Sequence, residues 1–221
     1  PSLTIIPYIK GLKILYCYIC PLLTSIPKIK GLTKLSCYRC PLLTSIPKIK
    51  GLEELNCSDC PSLTIIPYIK GLKILYCYRC PLLTSIPKIK GLTKLSCSGC
   101  PLLTTIPHIK GLQELICDDN PVTSIPNIRS LKRLLCTGCL LLTKIPNIEG
   151  LERLYCWNCP LITSIPMIKR LKELDCYMGC PLLMYIPITK ELDCNKDLLK
   201  LPFKDCKYLT SKKMDKLYNN I

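Results

Sequence analysis

A nine-residue segment, Leu72–Cys80, decides the fold, and it reads LKILYCYRC. Its skeleton, Leu-x-x-Leu-x-Cys-x-x-Cys, recurs about every 20 residues along the chain. The full copies start at Leu12, Leu32, Leu52, Leu72, Leu92, Leu112, Leu131, Leu151 and Leu171, and a truncated tenth copy lies at Leu192-Asp193-Cys194. A period this short and regular is typical of a solenoid, in which each coil packs only against its neighbours.

We number the positions of the repeat from its first Leu and count the coils from the one that begins at Leu12. Positions 3 to 7 predict a short strand, with Leu at position 4 and Cys at position 6 facing inward. Positions 10 to 19 carry two prolines in most coils, such as Pro81 and Pro87, which rule out an α-helix there. We therefore expect a mainly β solenoid with one parallel sheet and an extended or 3-10 return path.

One 60-residue block has been duplicated almost unchanged. Residues 1–40 and 61–100 differ at three places only, namely Ile19/Arg79, Tyr38/Ser98 and Arg39/Gly99. All three places are at positions 7 and 8 of the repeat, beside the predicted strand. The duplicated coils therefore share their core and differ on an outward surface.

The repeat resembles the leucine-rich repeat, Leu-x-x-Leu-x-Leu-x-x-Asn/Cys-x-Leu, with Cys in place of the third Leu. Asn120 supports this alignment, because it fills the slot where the other full coils carry their second Cys. The 20-residue length with Ile-Pro resembles bacterial effector proteins, and the Cys-, Lys- and Ile-rich composition resembles repeat proteins of giant DNA viruses. The resemblance covers residues 1–202 and implies a right-handed solenoid of about ten coils, whose sheet lines a concave face.

Residues 203–221 leave the repeat. Met214, Leu217, Tyr218 and Ile221 recur with helical spacing, and Ser211 is a candidate N-cap. We expect a short C-terminal helix that closes the last coil, and a frayed basic tail is the alternative.

The 19 cysteines allow three interpretations. The spacing Cys17-x-x-Cys20 followed by Cys37-x-x-Cys40 matches that of a zinc ribbon. However, the cysteines occupy fixed slots of a repeat that already explains them, and Asn120 is a poor zinc ligand. Equivalent cysteines of adjacent coils would also lie within disulfide range. We favour buried, reduced thiols that pack as small apolar side chains, with no metal and no cofactor.

The outward positions 5 and 7 are rich in aromatic side chains, which dominate the energetics of protein interfaces. We predict a protein-binding surface on the concave face. Its candidate residues are Tyr16, Tyr18, Tyr38, Tyr76, Tyr78, Glu114, Asp118, Tyr155, Trp157 and Tyr177. The alternative is that Tyr simply suits a strand, in which case the array is a structural repeat without a single partner.

A second surface is basic, because position 19 is a Lys or Arg in nearly every coil. The formal net charge is +16, which permits attraction to polyanions. The alternative function is therefore nucleic-acid or other polyanion binding through Lys10, Lys30, Lys50, Lys70, Lys90, Lys110, Arg129 and Lys169. A solvated row of lysines needs no partner, since neighbouring charges repel only weakly in water.

Catalysis is not indicated. The only histidine, His108, has no nucleophile beside it in the repeat, and no phosphate-binding glycine loop is present. No apolar run is long enough to span a bilayer. Because the thiols are expected to be reduced, we predict a monomeric protein of the cytoplasm, and the resemblance extends this to the cytoplasm of a host cell.

Overall fold

The computed structural model describes residues 3–176, 179–184 and 186, together with the backbone of residues 193–194. Its strands form one parallel sheet in chain order from β1 to β10. They are β1 (Ile14–Tyr16), β2 (Lys34–Ser36), β3 (Glu54–Asn56), β4 (Ile74–Tyr76), β5 (Lys94–Ser96), β6 (Glu114–Ile116), β7 (Arg133–Leu135), β8 (Arg153–Tyr155), β9 (Glu173–Asp175) and β10 (Asp193–Cys194). The predicted solenoid with a single parallel sheet is confirmed.

The strands pair in perfect register, one coil on the next. Leu15 is opposite Leu35, and Leu35 is opposite Leu55, so the same repeat position stacks from β1 to β9. Register is fixed because a slip of one residue would turn these leucines to solvent. Each strand from β1 to β9 covers positions 3 to 5, which is shorter than the predicted 3 to 7. Backbone hydrogen bonds continue at positions 6 and 8, as from Cys77 N–H to the Ser96 carbonyl at 2.8 Å.

The core consists of parallel columns of one residue type each. Position 1, 4 and 12 leucines such as Leu72, Leu75 and Leu83 are fully buried, and the isoleucines of positions 15 and 18 close the other side. Burying a Leu or Ile side chain stabilises the fold by roughly 1.5–3 kcal/mol. Because every buried column is shared only by adjacent coils, stability accumulates coil by coil.

The return path is extended between tight turns. The Leu23 N–H donates to the Cys20 carbonyl at 3.2 Å, and the same one-turn bond recurs from Leu83 to Cys80. Glycines of position 20, such as Gly71 and Gly91, have φ near +90° and turn the chain into the next strand. In residues 3–176 no helix is formed. The predicted C-terminal helix and the cap at residues 203–221 lie outside the described residues.

The cysteines form two buried columns within the coils. The position 9 thiol donates to the position 6 carbonyl of the preceding coil, as from Cys100 to Cys77 at 3.3 Å. Asn120 takes over this role, since its Nδ2 donates to the Cys97 carbonyl at 2.9 Å while its Oδ1 accepts the Cys100 N–H at 2.7 Å. The slot therefore requires a donor, which either a thiol or a carboxamide supplies.

Candidate binding surface on the sheet

We use the name sheet face for the outward side chains of positions 2, 3, 5, 7 and 8 in coils 1 to 9. Position 3 forms a row of ion pairs that joins neighbouring strands. Glu114 bridges Lys94 at 3.0 Å and Arg133 at 2.8 Å, and Lys34 pairs with Glu54 at 2.9 Å. Opposite charges across adjacent strands stabilise the pairing modestly, and they leave this row nearly neutral.

The predicted aromatic residues do stand on this face. Tyr16 and Tyr18 are more than half exposed, and Trp157 is 42% exposed. The remaining described members of the predicted site are half-buried, namely Tyr38, Tyr76, Tyr78, Glu114, Asp118 and Tyr155. Tyr177 lies outside the described residues. The predicted residues therefore share one surface but span nearly the whole length of the solenoid.

Several tyrosines are already engaged by cations of the same face. The Lys94 ammonium is 5.6 Å from the Tyr76 ring centre, and the Arg133 guanidinium is 5.7 Å from that of Tyr155. The Tyr155 hydroxyl also donates to Glu173. These contacts hold the rings in fixed orientations, which lowers the entropy lost when a partner binds them.

Tyr38 and Tyr78 close the face over coil 3. Their rings are 6.3 Å apart at 52°, on either side of Ser58. Ser58 is fully buried beneath them, and its hydroxyl accepts the Tyr78 N–H at 3.2 Å. The two tyrosine rings therefore cover Ser58, and a ligand cannot reach it.

Position 8 is a feature that sequence reasoning missed. In every full coil this residue has φ between 51° and 69°, the left-handed region. The column consists of Ile19, Arg39, Asp59, Arg79, Gly99, Asp119, Gly138, Asn158 and Gly179. Frequent Gly, Asp and Asn at this position were the available signal, because these residues tolerate positive φ best. Because position 8 has this left-handed conformation, the regular strand ends before it and its side chain points outward.

Two stretches of this column differ sharply. In coils 2 to 4, Asp59 lies between Arg39 and Arg79, with shortest N–O distances of 3.8 and 3.9 Å. In coils 5 to 7, Asp119 lies between Gly99 and Gly138. A Cβ on Gly138 would come 2.1 Å from Asp119 Oδ1, so the carboxylate occupies the space that a side chain would fill. Asp119 is exposed and has no ion pair with any residue that the structure describes.

A depression opens on the sheet face beside Asp119. Its floor is coil 5, where positions 5, 7 and 8 are all small. The lining residues are Tyr38, Tyr78, Arg79, Ser96, Ser98, Gly99, Asp118 and Asp119. Two of the three differences within the duplicated block, Tyr38/Ser98 and Arg39/Gly99, create this floor. Coil 5 therefore has a depression at the place where Tyr38 and Arg39 occupy the surface of coil 2, its duplicated copy.

Asp118 forms the acidic wall of the depression. Its Oδ1 accepts the Thr137 N–H at 2.9 Å, and its Oδ2 accepts the Ser98 hydroxyl at 3.4 Å. Burial raises the pKa of Asp118 above its ordinary value, and the neighbouring Asp119 charge adds to this, while the Thr137 N–H opposes it. The site therefore holds negative charge that is only partly compensated.

The return side, positions 10 to 20, carries the excess positive charge. The predicted basic column is present and exposed at Lys10, Lys30, Lys50, Lys70, Lys90, Lys110, Arg129 and Lys169. From Lys10 to Arg170 the return segments hold thirteen basic residues and one acid, whereas the sheet face holds ten basic residues and nine acids. All ion pairs of the described residues lie on the sheet face. The return side therefore carries nearly all of the net positive charge of the solenoid, and the sheet face is close to neutral.

An apolar stripe also runs along the return side and was not anticipated. Position 11 leucines are between 40% and 50% exposed at Leu22, Leu42, Leu82, Leu102, Leu141, Leu161 and Leu182. They alternate with the buried position 12, as expected for an extended segment. Apolar and basic columns therefore share this side of the solenoid.

Most of the described thiols are poor reagents, whereas a hydrogen bond with Cys37 lowers the pKa of Cys60 and one with Cys136 lowers that of Cys159. Burial raises the pKa of Cys17 and of Cys80 to about 12, and that of Cys57 well above its ordinary value. A thiol acts as nucleophile or metal ligand through its thiolate, which these environments disfavour. All 17 described cysteines are free, and among the described residues no three His, Cys, Asp or Glu side chains are grouped to hold a metal ion. His108 Nε2 lies 3.2 Å from the Asn127 carbonyl on the return side.

Within the described residues no helix has the length and apolar character needed to cross a membrane. Comparison with protein-family models and with curated proteins finds no match to this chain. Function must therefore be argued from the repeat and from its two surfaces.

Proposed function

We propose that the protein is a recognition scaffold of the leucine-rich-repeat type, which binds a protein partner through its sheet face. One observation carries the proposal: aromatic side chains stand on a surface that is close to electrically neutral. Tyr, Trp and Arg are the residues that dominate interface hot spots, and this face presents all three. A neutral, aromatic surface favours a protein partner over a polyanion.

The resemblance supplies the finer form of this proposal. It makes the sheet face concave and suggests a viral or effector origin, with action in the cytoplasm of a host cell. Buried neutral thiols suit a reducing compartment. We further propose that the protein acts as a monomer and without catalysis, since all its described cysteines except Cys20 and Cys180 are buried and His108 faces a backbone carbonyl.

The test is affinity capture from cell extract at low and high salt. The variant Tyr76→Ala, Tyr78→Ala, Tyr155→Ala and Trp157→Ala removes aromatic area from the sheet face. The matched control, Tyr8→Ala with Tyr68→Ala, removes exposed tyrosines from position 17 of the return side. We expect a defined protein that survives high salt, is lost with the first variant and is kept by the control. Equal capture by both variants would contradict the proposal.

The segregated charge favours a second candidate function, which is polyanion binding on the return side. Coils 1 and 2 each present lysines at positions 17 and 19, namely Lys28, Lys30, Lys48 and Lys50. A 20-nucleotide oligothymidylate titrated at several salt concentrations tests this function. If the lysines contact phosphates, changing all four to Gln lowers the salt slope by about 3, since each contact to a single strand contributes about 0.7. An unchanged slope would exclude these lysines.

A further inference from the structure

The open depression around Asp119 has a filled counterpart within the same molecule. Asp59 and Asp119 occupy the same repeat position, with φ of 51° and 53°. Asp59 has a guanidinium on each side, from Arg39 and Arg79. Asp119 has Gly99 and Gly138 at those two places. The fold thus shows which group this carboxylate slot accepts, and at Asp119 the chain itself does not supply it.

We use the name groove for the depression around Asp119, which coils 2, 4, 5 and 6 line, together with position 7 of the adjoining coils 7 and 8. At position 7 the residues are Tyr78, Ser98, Asp118, Thr137 and Trp157 in that order. An acid therefore stands at the centre, small side chains follow on both sides, and an aromatic ring ends each side. With coils about 4.8 Å apart, each ring is about 10 Å from the centre along the sheet. An extended peptide segment with a long side chain fits between such walls.

The groove also shows how a cation would meet its rings. On the same sheet the Arg39 guanidinium lies 5.0 Å from the Tyr38 ring centre while its Nε is 3.8 Å from Asp59. Coil 5 lacks both the Tyr and the Arg of this arrangement, but the acid of the next coil is still present. The Arg79 side chain lies beside Gly99, where an added Cβ would come 3.4 Å from its Cγ, but its Nη1 is 3.9 Å from Asp59 in coil 3.

We infer that this groove binds an arginine side chain of the partner, with its guanidinium against the Asp119 and Asp118 carboxylates and its peptide flanked by Tyr78 and Trp157. The inference rests on the proposed function and names the chemistry of the partner segment. Guanidinium is preferred to ammonium because its planar fork pairs with carboxylates and stacks on aromatic rings. In a chain of net charge +16, a local site for a cation is a specific feature and not a general attraction.

The test uses a defined probe, the capped peptide Gly-Gly-Arg-Gly-Gly, titrated into the isotope-labelled full chain and followed by NMR. The control peptide carries citrulline, which has the same shape without the charge. We expect saturable shifts centred on the amides of Ser98, Gly99 and Asp119, with a dissociation constant on the order of 1 mM. Citrulline at the same concentrations should leave these signals in place.

Two variants localise the site. Ser98→Tyr with Gly99→Arg makes Leu92–Cys100 identical to Leu32–Cys40, so the chain already shows that this sequence folds in a coil. It supplies the missing cation from within, and we expect the peptide response to be lost. Asp119→Asn should weaken binding by at least about fivefold, equivalent to about 1 kcal/mol, whereas Asp59→Asn should not.

The outcomes separate this inference from the proposed function. Equal shifts with citrulline, shifts no larger at Asp119 than at Asp59, or an unaltered response of the Ser98→Tyr/Gly99→Arg variant would overturn the arginine site. If that variant also captures the partner as well as wild type does, the scaffold function stands without the arginine site. If the peptide binds at Asp119 while capture ignores the sheet-face tyrosines, the site stands and the scaffold proposal fails.

Discussion

Coils 2 to 4 and coils 5 to 7 form the same strands and turns, with coil 6 one residue shorter, but present different surfaces. In the first region Tyr38 and Tyr78 cover Ser58, and two arginines flank Asp59. In the second region Ser98 lies open, and two glycines flank Asp119. In the first region the chain itself supplies cations to the carboxylate, although Asp59 Oδ2 accepts no hydrogen bond, whereas in the second region no residue that the structure describes supplies a cation to Asp119.

The difference shows how a solenoid acquires a site without changing its fold. The same buried columns run through both regions, because each coil must match its neighbours, and only Asn120 and Val122 of the second region replace the usual Cys and Leu. Positions 7 and 8 are free of that constraint, since they contact solvent and the same positions of adjacent coils. Removing two large side chains there opens a depression at little cost to the core. We therefore expect substitutions in the core to have similar effects in the two regions, and substitutions on the outward surface to have different ones.

The largest effect should come from the shared core. Leu75→Ala in coil 4 and Leu115→Ala in coil 6 each empty a fully buried position. Each should lower the free energy of unfolding by about 2–5 kcal/mol, and the two losses should agree within about 1 kcal/mol. Urea unfolding followed by circular dichroism measures both. A much smaller loss for Leu115→Ala would mean that the second region is loosely packed inside as well.

The next effect concerns Asn120, which belongs only to the second region. Asn120→Ala removes the donor to the Cys97 carbonyl and the acceptor of the Cys100 N–H. Leaving such buried groups without partners should cost about 1–3 kcal/mol. Asn120→Cys should cost less, because the thiol of Cys100 makes the equivalent bond to Cys77 in the neighbouring coil. Urea unfolding of both variants measures these losses of stability. Equal losses for Asn120→Ala and Asn120→Cys would refute the role of the hydrogen-bond donor.

Substitution of the two position 8 aspartates, Asp59 and Asp119, should have a smaller effect on the free energy of unfolding. Asp59→Asn weakens two contacts to arginines that are 55% and 70% exposed, so it should cost less than about 1 kcal/mol at low salt. Asp119→Asn loses no ion pair that the structure shows and should change stability by less than about 0.5 kcal/mol. The difference between the stability losses of the two variants should vanish in high salt, because salt screens the ion pairs of Asp59. A larger loss for Asp119→Asn would show that its carboxylate is not free.

The smallest effect is a pH dependence at position 7, where coil 3 has Ser58 and coil 6 has Asp118. Burial raises the pKa of Asp118 above its ordinary value of 3.8. Between pH 3.8 and the raised pKa of the folded state, the folded protein binds more protons than the unfolded protein. The free energy of unfolding therefore falls as the pH rises through that range. Asp118→Asn removes this term. The free energy of unfolding of wild type, relative to this variant, should therefore decrease from acid to neutral pH.

An increase of that relative stability between acid and neutral pH would reverse the sign and contradict a desolvated Asp118. The experiment needs only urea midpoints of the two proteins at matched ionic strength.

Sequence alone predicts the sheet, its strand order and its core, because one residue pattern is repeated with one period. Leu75 and Cys77 point inward at alternate positions of the chain, and the same alternation returns in coil after coil. The aromatic face follows from the same alternation. The left-handed φ at position 8 does not follow, because residues as different as Ile19 and Gly99 occupy it.

The open groove could not be predicted either. It depends on neighbours across coils, namely on Ser98 and Gly99 lying between Tyr78 and Asp118. The sequence places these residues 20 apart, and their differences from the duplicated copy are visible only as isolated substitutions. Ser58 shows the limit of sequence reasoning, because the same residue at the same position is fully buried by tyrosines from the coils on each side.

The most direct test of the account is hydroxyl-radical footprinting of the complex with the captured partner, quantified by mass spectrometry. Both sides of the solenoid carry residues of the same chemistry: Tyr78 and Trp157 on the sheet face, and Tyr8 and Tyr68 on the return side. We predict that the partner protects Tyr78 and Trp157 from oxidation and leaves Tyr8 and Tyr68 as reactive as in the free protein. Protection of Tyr8 and Tyr68 with unchanged oxidation of Tyr78 and Trp157 would contradict a binding surface on the sheet.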